Sequence, residues 1–250
     1  MISLINPDEA PRPLVVVAEK YSAYQGEWHS HSRAQLIHAS QGVIHVQTTE
    51  GRWVVPPQRA VWILPGVLHQ VSSRQGFWLH TLYAKQAALP LPDQCGVVTV
   101  DPLMNQLLVT AAGFGLDYPP DGMEARLMRV LVDWLPRLPS TPLHLPQPQD
   151  KRLRKLAALL EDNIGDSNPL EQMAPLSGLT PRTAARLFLK ETGLTFGQWR
   201  QQLRLLTALE KLGNGEKVTN VALDVGYQDV SSFITLFKNA LGQTPAKYFS

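Results

Sequence analysis

Two spacings of apolar residues divide this chain. Before about residue 85 the apolar positions come in short runs rich in branched and aromatic side chains, broken by Gly, Pro and Ser; further on they recur every three or four residues. The first pattern predicts strands and the second predicts helices, because side chains alternate across a strand and return to one helix face each turn. The runs Leu14 to Ala18, Ala34 to Ala39, Val43 to Thr48, Trp53 to Val55, Ala60 to Leu64, Gln70 to Ser72 and Gly76 to Tyr83 read as strands of a barrel or sandwich. Helices follow at about Pro102 to Ala112 and Asp121 to Leu138, the second with an apolar stripe of Met123, Leu127, Val130, Leu131 and Trp134. Phe196 to Leu212 reads as a long amphipathic helix carrying Trp199, Leu203, Leu206, Leu209 and Leu212 on one side, ending at Gly213-Asn214-Gly215.

Around that long helix the chain repeats itself. Ala174, Gly178, Phe188, Gly193, Thr195 and Trp199 recur as Ala222, Gly226, Phe237, Gly242, Thr244 and Tyr248, with one extra residue between Gly226 and Phe237. Each copy reads as helix, tight turn, helix. Gly178 and Gly226 stand where the backbone must take left-handed angles, and the small Ala174 and Ala222 let the second helix cross closely. Thr180 before Pro181, and Asp229 in the second copy, provide N-caps. Two helix-turn-helix units joined by a rod of roughly 25 Å suit two successive major-groove faces roughly 34 Å apart.

The outward faces of the two copies differ. In the first, Ala184, Leu187 and Phe188 point inward, leaving Arg182, Ala185, Arg186 and Leu189 outside, with Thr180, Thr183 and Lys190 at the margins. Arginine grips guanine edges bidentately, at about 1–3 kcal/mol of discrimination per contact. In the second, Phe233, Leu236 and Phe237 point inward and leave Val230, Ser231, Ser232, Ile234 and Thr235 near the groove, with Lys238 placed for a phosphate. The first copy is therefore expected to carry most base discrimination, the second to read shape, thymine methyls or backbone.

LSGLTPRTAARLFLKETGLTFGQWRQQLRL followed by VALDVGYQDVSSFITLFKNALGQTPAKYF resembles the AraC/XylS family of bacterial transcription regulators over about the last hundred residues. The resemblance implies recognition helices in adjacent major grooves, with Arg182, Ala185 and Arg186 and then Val230, Ser231 and Thr235 in the reading positions. It also implies double-stranded operator DNA as a partner, a small-molecule effector, RNA polymerase as a partner if the protein activates, and a homodimer formed through the helices that follow the strands. Against that homodimer stands packing of the same helices on the barrel wall. Pro175 departs from the pattern: inside the first helix of the first copy it removes a donor, so that helix is expected to be kinked or short.

Histidines collect in the first half. Gly26, His29-Ser30-His31, Gln35 and Gly42, followed by Pro65-Gly66-Val67-Leu68-His69, resemble a cupin, the double-stranded β-helix that senses ligands in many regulators of this family. The expected fold is α+β: a cupin-like barrel with two following helices, then an all-α domain. In metal-binding cupins two histidines, a glutamate and a later histidine close around one ion. Here Gln35 stands at the glutamate's place, and Gln58 stands near the place of an expected glycine. Losing the anionic ligand argues against an enzyme. Two alternatives remain: an effector site of His29, His31, Arg33, Gln35, Trp62, His69, Trp78 and His80 with no metal or other cofactor, or a divalent metal held by His29, His31 and His69 for sensing or structure.

Composition adds the seam. Residues 151–250 hold 13 Lys+Arg against 9 Asp+Glu, whereas residues 1–150 hold 10 against 12, so the half with the repeat is the basic half. Lys151, Arg152, Arg154 and Lys155 open it and are expected to add backbone contacts. Pro136, Pro139, Pro142, Pro146 and Pro148 mark an extended linker unable to join a sheet, which divides the chain into a sensing domain at 1–138, a linker at 139–150 and a DNA-binding domain at 151–250. The single Cys95 excludes an internal disulfide and reads as a small buried hydrophobe. Leu14 to Ala18 is too short for a membrane span or signal core, which places the expected protein in the cytoplasm, away from membranes.

Overall fold

The computed structural model describes residues 6–85, 92–141 and 143–249. The chain divides into two units, Met1–Thr49 with Trp53–Leu143, and Glu50–Arg52 with His144–Ser250. In the first unit lie β1 (Leu14–Tyr21), β2 (Tyr24–Gln25), β3 (Ala34–Gln41), β4 (Ile44–Thr48), β5 (Gly51–Val55), β6 (Arg59–Ile63), β7 (His69–Ser73), β8 (Phe77–Ala84), β9 (Gly96–Thr99) and β10 (Ser140–Thr141), the tip of β5 grouping with the second unit. One sheet runs β1-β8-β3-β6-β9-β10 and a second contains β5-β4-β7-β2. All seven expected strands form. The short β2, β9 and β10 were not expected, because runs of two to four residues leave no alternation to read.

Strand alternation sorts the first sheet into two faces. Leu14, Val16, Ala34, Leu36, Ala60, Trp62, Leu82 and Ala84 pack in one apolar cluster with Met104 and Leu108 of α1 (Pro102–Ala111) and Met128, Leu131 and Val132 of α2 (Met123–Trp134). Each large side chain buried there is worth about 1.5–3 kcal/mol. Asp101 joins the two helices: one carboxylate oxygen accepts the Met104 N–H at 2.7 Å as the N-cap of α1, and the other accepts the Trp134 indole N–H at 2.8 Å.

The expected stripe of α2 is corrected in part: Leu131 is buried and Leu127 and Trp134 pack half-buried against the cluster, whereas Met123 and Val130 do not. Met128, Leu131, Val132 and Leu135 are the buried set, while Met123 and Val130 are 63% and 49% exposed. Both lines have helical spacing and share Leu131, and packing on the sheet centres the buried face on the second. The linker is corrected as well. Ser140 and Thr141 pair with Val98 and Val97, and His144–Pro146 forms β11 in the second unit, where the Gln147 N–H donates to the Glu50 carbonyl. Ser140, Thr141, His144 and Leu145 keep their N–H groups for a ladder, and Pro146 stands only at the last position of β11; Pro142 lies outside the described residues. Cys95 is only half-buried and its sulfur accepts the Leu64 N–H.

The second unit contains α3 (Lys151–Asp162), α4 (Leu170–Met173), α5 (Pro181–Thr192), α6 (Phe196–Gly213), α7 (Val218–Asp224), α8 (Val230–Leu241) and α9 (Pro245–Tyr248). Pro175 shortens the first helix of the first copy: α4 stops at Met173 and Ala174–Ser177 continues as one 3-10 turn. A capping box between Thr195 and Gln198 starts α6, whose Phe196, Trp199, Leu203, Leu206, Leu209 and Leu212 are buried together with Leu205 and Ala208.

Candidate functional site

The repeated residues build two matching frames. After α4 and its 3-10 turn, Gly178 takes φ +77° and the Leu179 N–H returns to the Ala174 carbonyl; after α7, Gly226 takes φ +87° and the Tyr227 N–H returns to the Ala222 carbonyl. Both closures satisfy carbonyls that the helix end leaves open. Phe188 then packs on Trp199 with ring centroids 5.8 Å apart, and Phe237 packs on Tyr248 at 5.6 Å. Gly193 and Gly242 end α5 and α8 in left-handed geometry, and Thr195 and Thr244 start the helices that follow. The repeat is therefore a repeat of packing positions.

Side chains free of that packing point to solvent. On α5, Arg182, Ala185, Arg186, Leu189 and Lys190 are exposed, whereas Ala184 and Phe188 are fully buried. Thr180 caps α5 by accepting the Thr183 N–H at 3.2 Å, so these two threonines are bound up in the helix start. On α8, Ser231, Ser232, Thr235 and Lys238 are exposed and Val230 and Ile234 are half-buried. Ser232 is committed to the cap, its hydroxyl and N–H both donating to Asp229 at 2.7 Å. A groove of about 670 Å³ runs beside α8, lined by Ser231, Thr235 and Asn239 of α8 and Gln201 of α6. Lys151, Arg154 and Lys155 are exposed at the start of α3, while Arg152 is paired with Asp150 at 2.8 Å.

One residue of the frame escaped sequence reasoning. Arg204 on α6 donates to the carbonyls of Ile164, Gly165, Asp166 and Gly226, at distances between 2.8 and 3.4 Å, and so ties the second turn to the loop after α3. Its signal was an arginine set directly among Leu203, Leu205 and Leu206 of an amphipathic helix.

In the first unit the expected effector residues separate. His29, His31, Gln35 and His69 come together, and the other four do not. The His29 and His69 backbones exchange two hydrogen bonds of 2.9 Å, and their ring centroids are 4.3 Å apart. His31 stands 5.2 Å from His69 and 5.3 Å from Tyr83 by ring centroid. Gln35 lies between His31 and Tyr83, with its amide oxygen 3.1 Å from His31 Nε2 and its amide nitrogen 3.1 Å from the tyrosine hydroxyl. His31, Gln35 and His69 are buried and His29 is exposed.

Each histidine of this cluster is oriented by backbone. Nδ1 of His29 lies 2.9 Å from the Glu27 carbonyl, Nδ1 of His31 2.7 Å from the Arg33 carbonyl, and Nδ1 of His69 2.8 Å from the Val67 carbonyl. A carbonyl can only accept, so each Nδ1 carries a hydrogen. Nε2 of His69 is buried without a partner. Burial holds the His69 imidazole down to about 4, so the ring is neutral at pH 7, and burial pushes the Tyr83 phenol up.

Arg33, Trp62, Trp78 and His80 are elsewhere for reasons of parity and packing. The Arg33 guanidinium is fully buried and donates to the carbonyls of Ala10, Arg12 and Pro13, clamping the chain before β1. Trp62 belongs to the apolar cluster under α1 and α2. Trp78 is 42% exposed, with the Lys20 ammonium 5.2 Å from its ring. His80 pairs across the strands with His38, on the same face as Leu36 and Leu82. His38 bridges the Arg59 carbonyl and Asn105 beside a cavity of about 460 Å³ at the start of α1. Gln58, near the place of the expected glycine, lines the same cavity with φ +65°, a conformation otherwise taken only by glycine among the described residues.

Comparison with known proteins agrees with both halves. Residues 13–91 match the AraC-like ligand binding domain and residues 173–250 match a helix-turn-helix domain. The HTH-type transcriptional regulator NimR of Escherichia coli (strain K12) is 38% identical over 222 residues, which is 89% of this chain and 81% of that protein. The HTH-type transcriptional regulator RipA of Corynebacterium glutamicum is 34% identical over 112 residues, 45% of this chain and 33% of its own length. A crystal structure of ToxT from Vibrio cholerae with bound unsaturated fatty acid aligns with 94% of each chain at 13% identity and a TM-score of 0.40. Among the described residues no helix is long and apolar enough to cross a membrane. With its two halves in this order and a relative matched over most of both lengths, the chain belongs to the AraC/XylS family of HTH-type transcriptional regulators.

Proposed function

We propose that the protein reads operator DNA with α5 and α8, acting by binding and not by catalysis, and that a small-molecule effector at the His29, His31, Gln35 and His69 cluster sets its occupancy. The observation that carries this is the pair of matching frames: packing residues repeat, and the residues they leave outside are those suited to base edges and phosphates. Arg182 and Arg186 supply discrimination, and Lys238 supplies backbone contact. Because the effector can act only by binding two arrangements of the protein unequally, the mechanism is a population shift.

Contact with a second copy of the chain is assigned to α1 and α2. In support, Leu103, Val109, Met123 and Val130 are large apolar side chains, each more than 40% exposed. A dimer would double the DNA contacts, and RNA polymerase is the further partner if the protein activates. Operator binding places the working protein in the cytoplasm.

Genome-wide footprinting with and without candidate small molecules tests the reading. Protected sites with contacts in two successive major-groove faces, changing with one of those molecules, are the expected result. Uniform low protection without sequence preference would overturn it.

A further inference from the structure

The two turns of the repeat share a glycine but not its surroundings. At Gly178 an added Cβ would meet nothing within 4 Å, so the left-handed φ of +77° alone favours glycine there. At Gly226 it would stand 2.6 Å from a guanidinium nitrogen of Arg204 and 2.8 Å from the Gly165 carbonyl oxygen. The first turn is open, whereas the second is built against α6 and the loop that follows α3. That loop leads into α4, the first helix of the first copy. One guanidinium therefore touches both copies. It donates to Ile164, Gly165 and Asp166 on the approach to the first and to Gly226 in the turn of the second, and it lies 5.8 Å from the Tyr227 ring beside that turn. Arg200, one helical turn earlier, donates to the Asn168 carbonyl at 2.7 Å and holds the same loop on α6.

A rod sets the distance between two readers but not the rotation of one about its end. Here α6 joins α7 through Gly213-Asn214-Gly215, and glycine is the residue least able to resist rotation. Lys211 holds α7 near that junction, donating to Asp224 at 2.7 Å and to Glu216 at 3.2 Å, but these are partly exposed ion pairs that salt screens. Arg204 grips farther back, at the middle of α6 and roughly 13 Å before its end. Its planar fork of donors is fixed by carbonyls from two segments, a constraint that a single ammonium group does not supply.

We propose that Arg204 is a positioning residue for operator recognition: by joining the approach to α4 with the turn before α8, it fixes the angle between the two reading helices and so the subsite spacing that the protein accepts. This rests on the reading of α5 and α8 as paired DNA readers. Arg204 itself acts through orientation and not through contact with DNA. Successive base pairs differ by roughly 3.4 Å in rise and roughly 35° in rotation, so one pair inserted between the subsites demands a different angle. A held angle rejects that operator, and a free one accommodates it. Joining two readers raises affinity by about 10²–10⁴ over one alone, provided that both engage at once.

The test uses the full chain and the operator segment located by footprinting, in three forms: native, with one base pair inserted between the two contacted grooves, and with one subsite randomised. Arg204→Met keeps the apolar stem and removes the donors; Arg204→Lys keeps the charge and removes the fork. In Arg204→Met the preference for native over inserted spacing is expected to fall about tenfold, a part of the gain from joining the readers. Affinity for the half-randomised form should stay unchanged, which a merely weakened fold would not allow, and lysine should not restore the preference. Without DNA, spin labels at Lys190→Cys and Lys238→Cys, with Cys95→Ser, should give one narrow distance when Arg204 is present and a broad distribution in Arg204→Met. Should Arg204→Met fail to melt cooperatively, Arg204→Lys carries the same two readouts. An unchanged spacing preference, equal losses on all three forms, an unchanged distance distribution, or full restoration by lysine would each overturn the proposal. If the unsubstituted chain itself binds all three forms alike, the pairing of α5 and α8 as readers fails instead.

Discussion

Arg182 and Arg186 share a face because they stand four residues apart on one helix, whereas His31 and His69 share a site because β3 and β7, in different sheets, bring distant segments together. The helical unit thus assembles its working surface locally, within single turns of chain. The β unit assembles its own from residues 29, 31, 35, 69 and 83, and it places His80, only three positions from Tyr83, on the opposite face. Removing one outward side chain from α5 or α8 should alter what the protein reads and leave its architecture alone. In the β unit, side chains that look chemically similar divide into a site and its supports, and the supports should matter for stability.

The largest expected effect tests the local half of that contrast. The double change Arg182→Ala with Arg186→Ala should remove about 2–6 kcal/mol of sequence discrimination, from two contacts of about 1–3 kcal/mol each. Mobility shifts on the protein's own promoter region and on random duplex measure it, with helix content by circular dichroism unchanged. Equal loss on both duplexes would mean that the arginines position the protein without reading bases.

Arg33→Ala tests the other half. Its buried guanidinium holds three backbone carbonyls, so its loss should cost about 3 kcal/mol, while leaving those acceptors unpaired. Amide exchange should speed up in β1 and β3 and stay unchanged in α5 and α8. Had Arg33 been an effector contact, stability would hold and only ligand affinity would fall.

A smaller change is expected for Lys238→Ala. One phosphate contact fewer should weaken binding to all sequences alike and reduce the slope of log affinity against log salt by about 0.9. Titrations at several salt concentrations give that slope directly.

The smallest effect is a dependence on acid. His38 is almost fully buried, and burial lowers its proton affinity despite its bonds to the Arg59 carbonyl and Asn105; His80 is the other titratable ring beside it, and Asp101 lines the adjoining cavity. The unfolded chain takes up the proton near the ordinary histidine value of 6.5, above the folded one. Stability is therefore full above that value and declines as the pH falls toward the lowered folded value. His38→Gln should lessen this decline in thermal melts between neutral and mildly acid pH, and His69 and His80, which burial also lowers, contribute to the remainder.

Periodicity and turn chemistry, both local, determined most of the helical unit in advance: its two copies, their left-handed glycines, the caps at Thr180 and Asp229, the break at Pro175 and the outward arginines. The seven long strands were legible for the same reason. Tertiary structure alone decided where the buried face of α2 is centred, that Ser140 and Thr141 join a sheet between prolines, and that Arg204 ties the second turn to a loop forty residues away. It also decided which histidines meet. Alternation gives each strand residue a side but does not say which side faces the partner sheet, because that depends on register and closure between segments far apart in the chain.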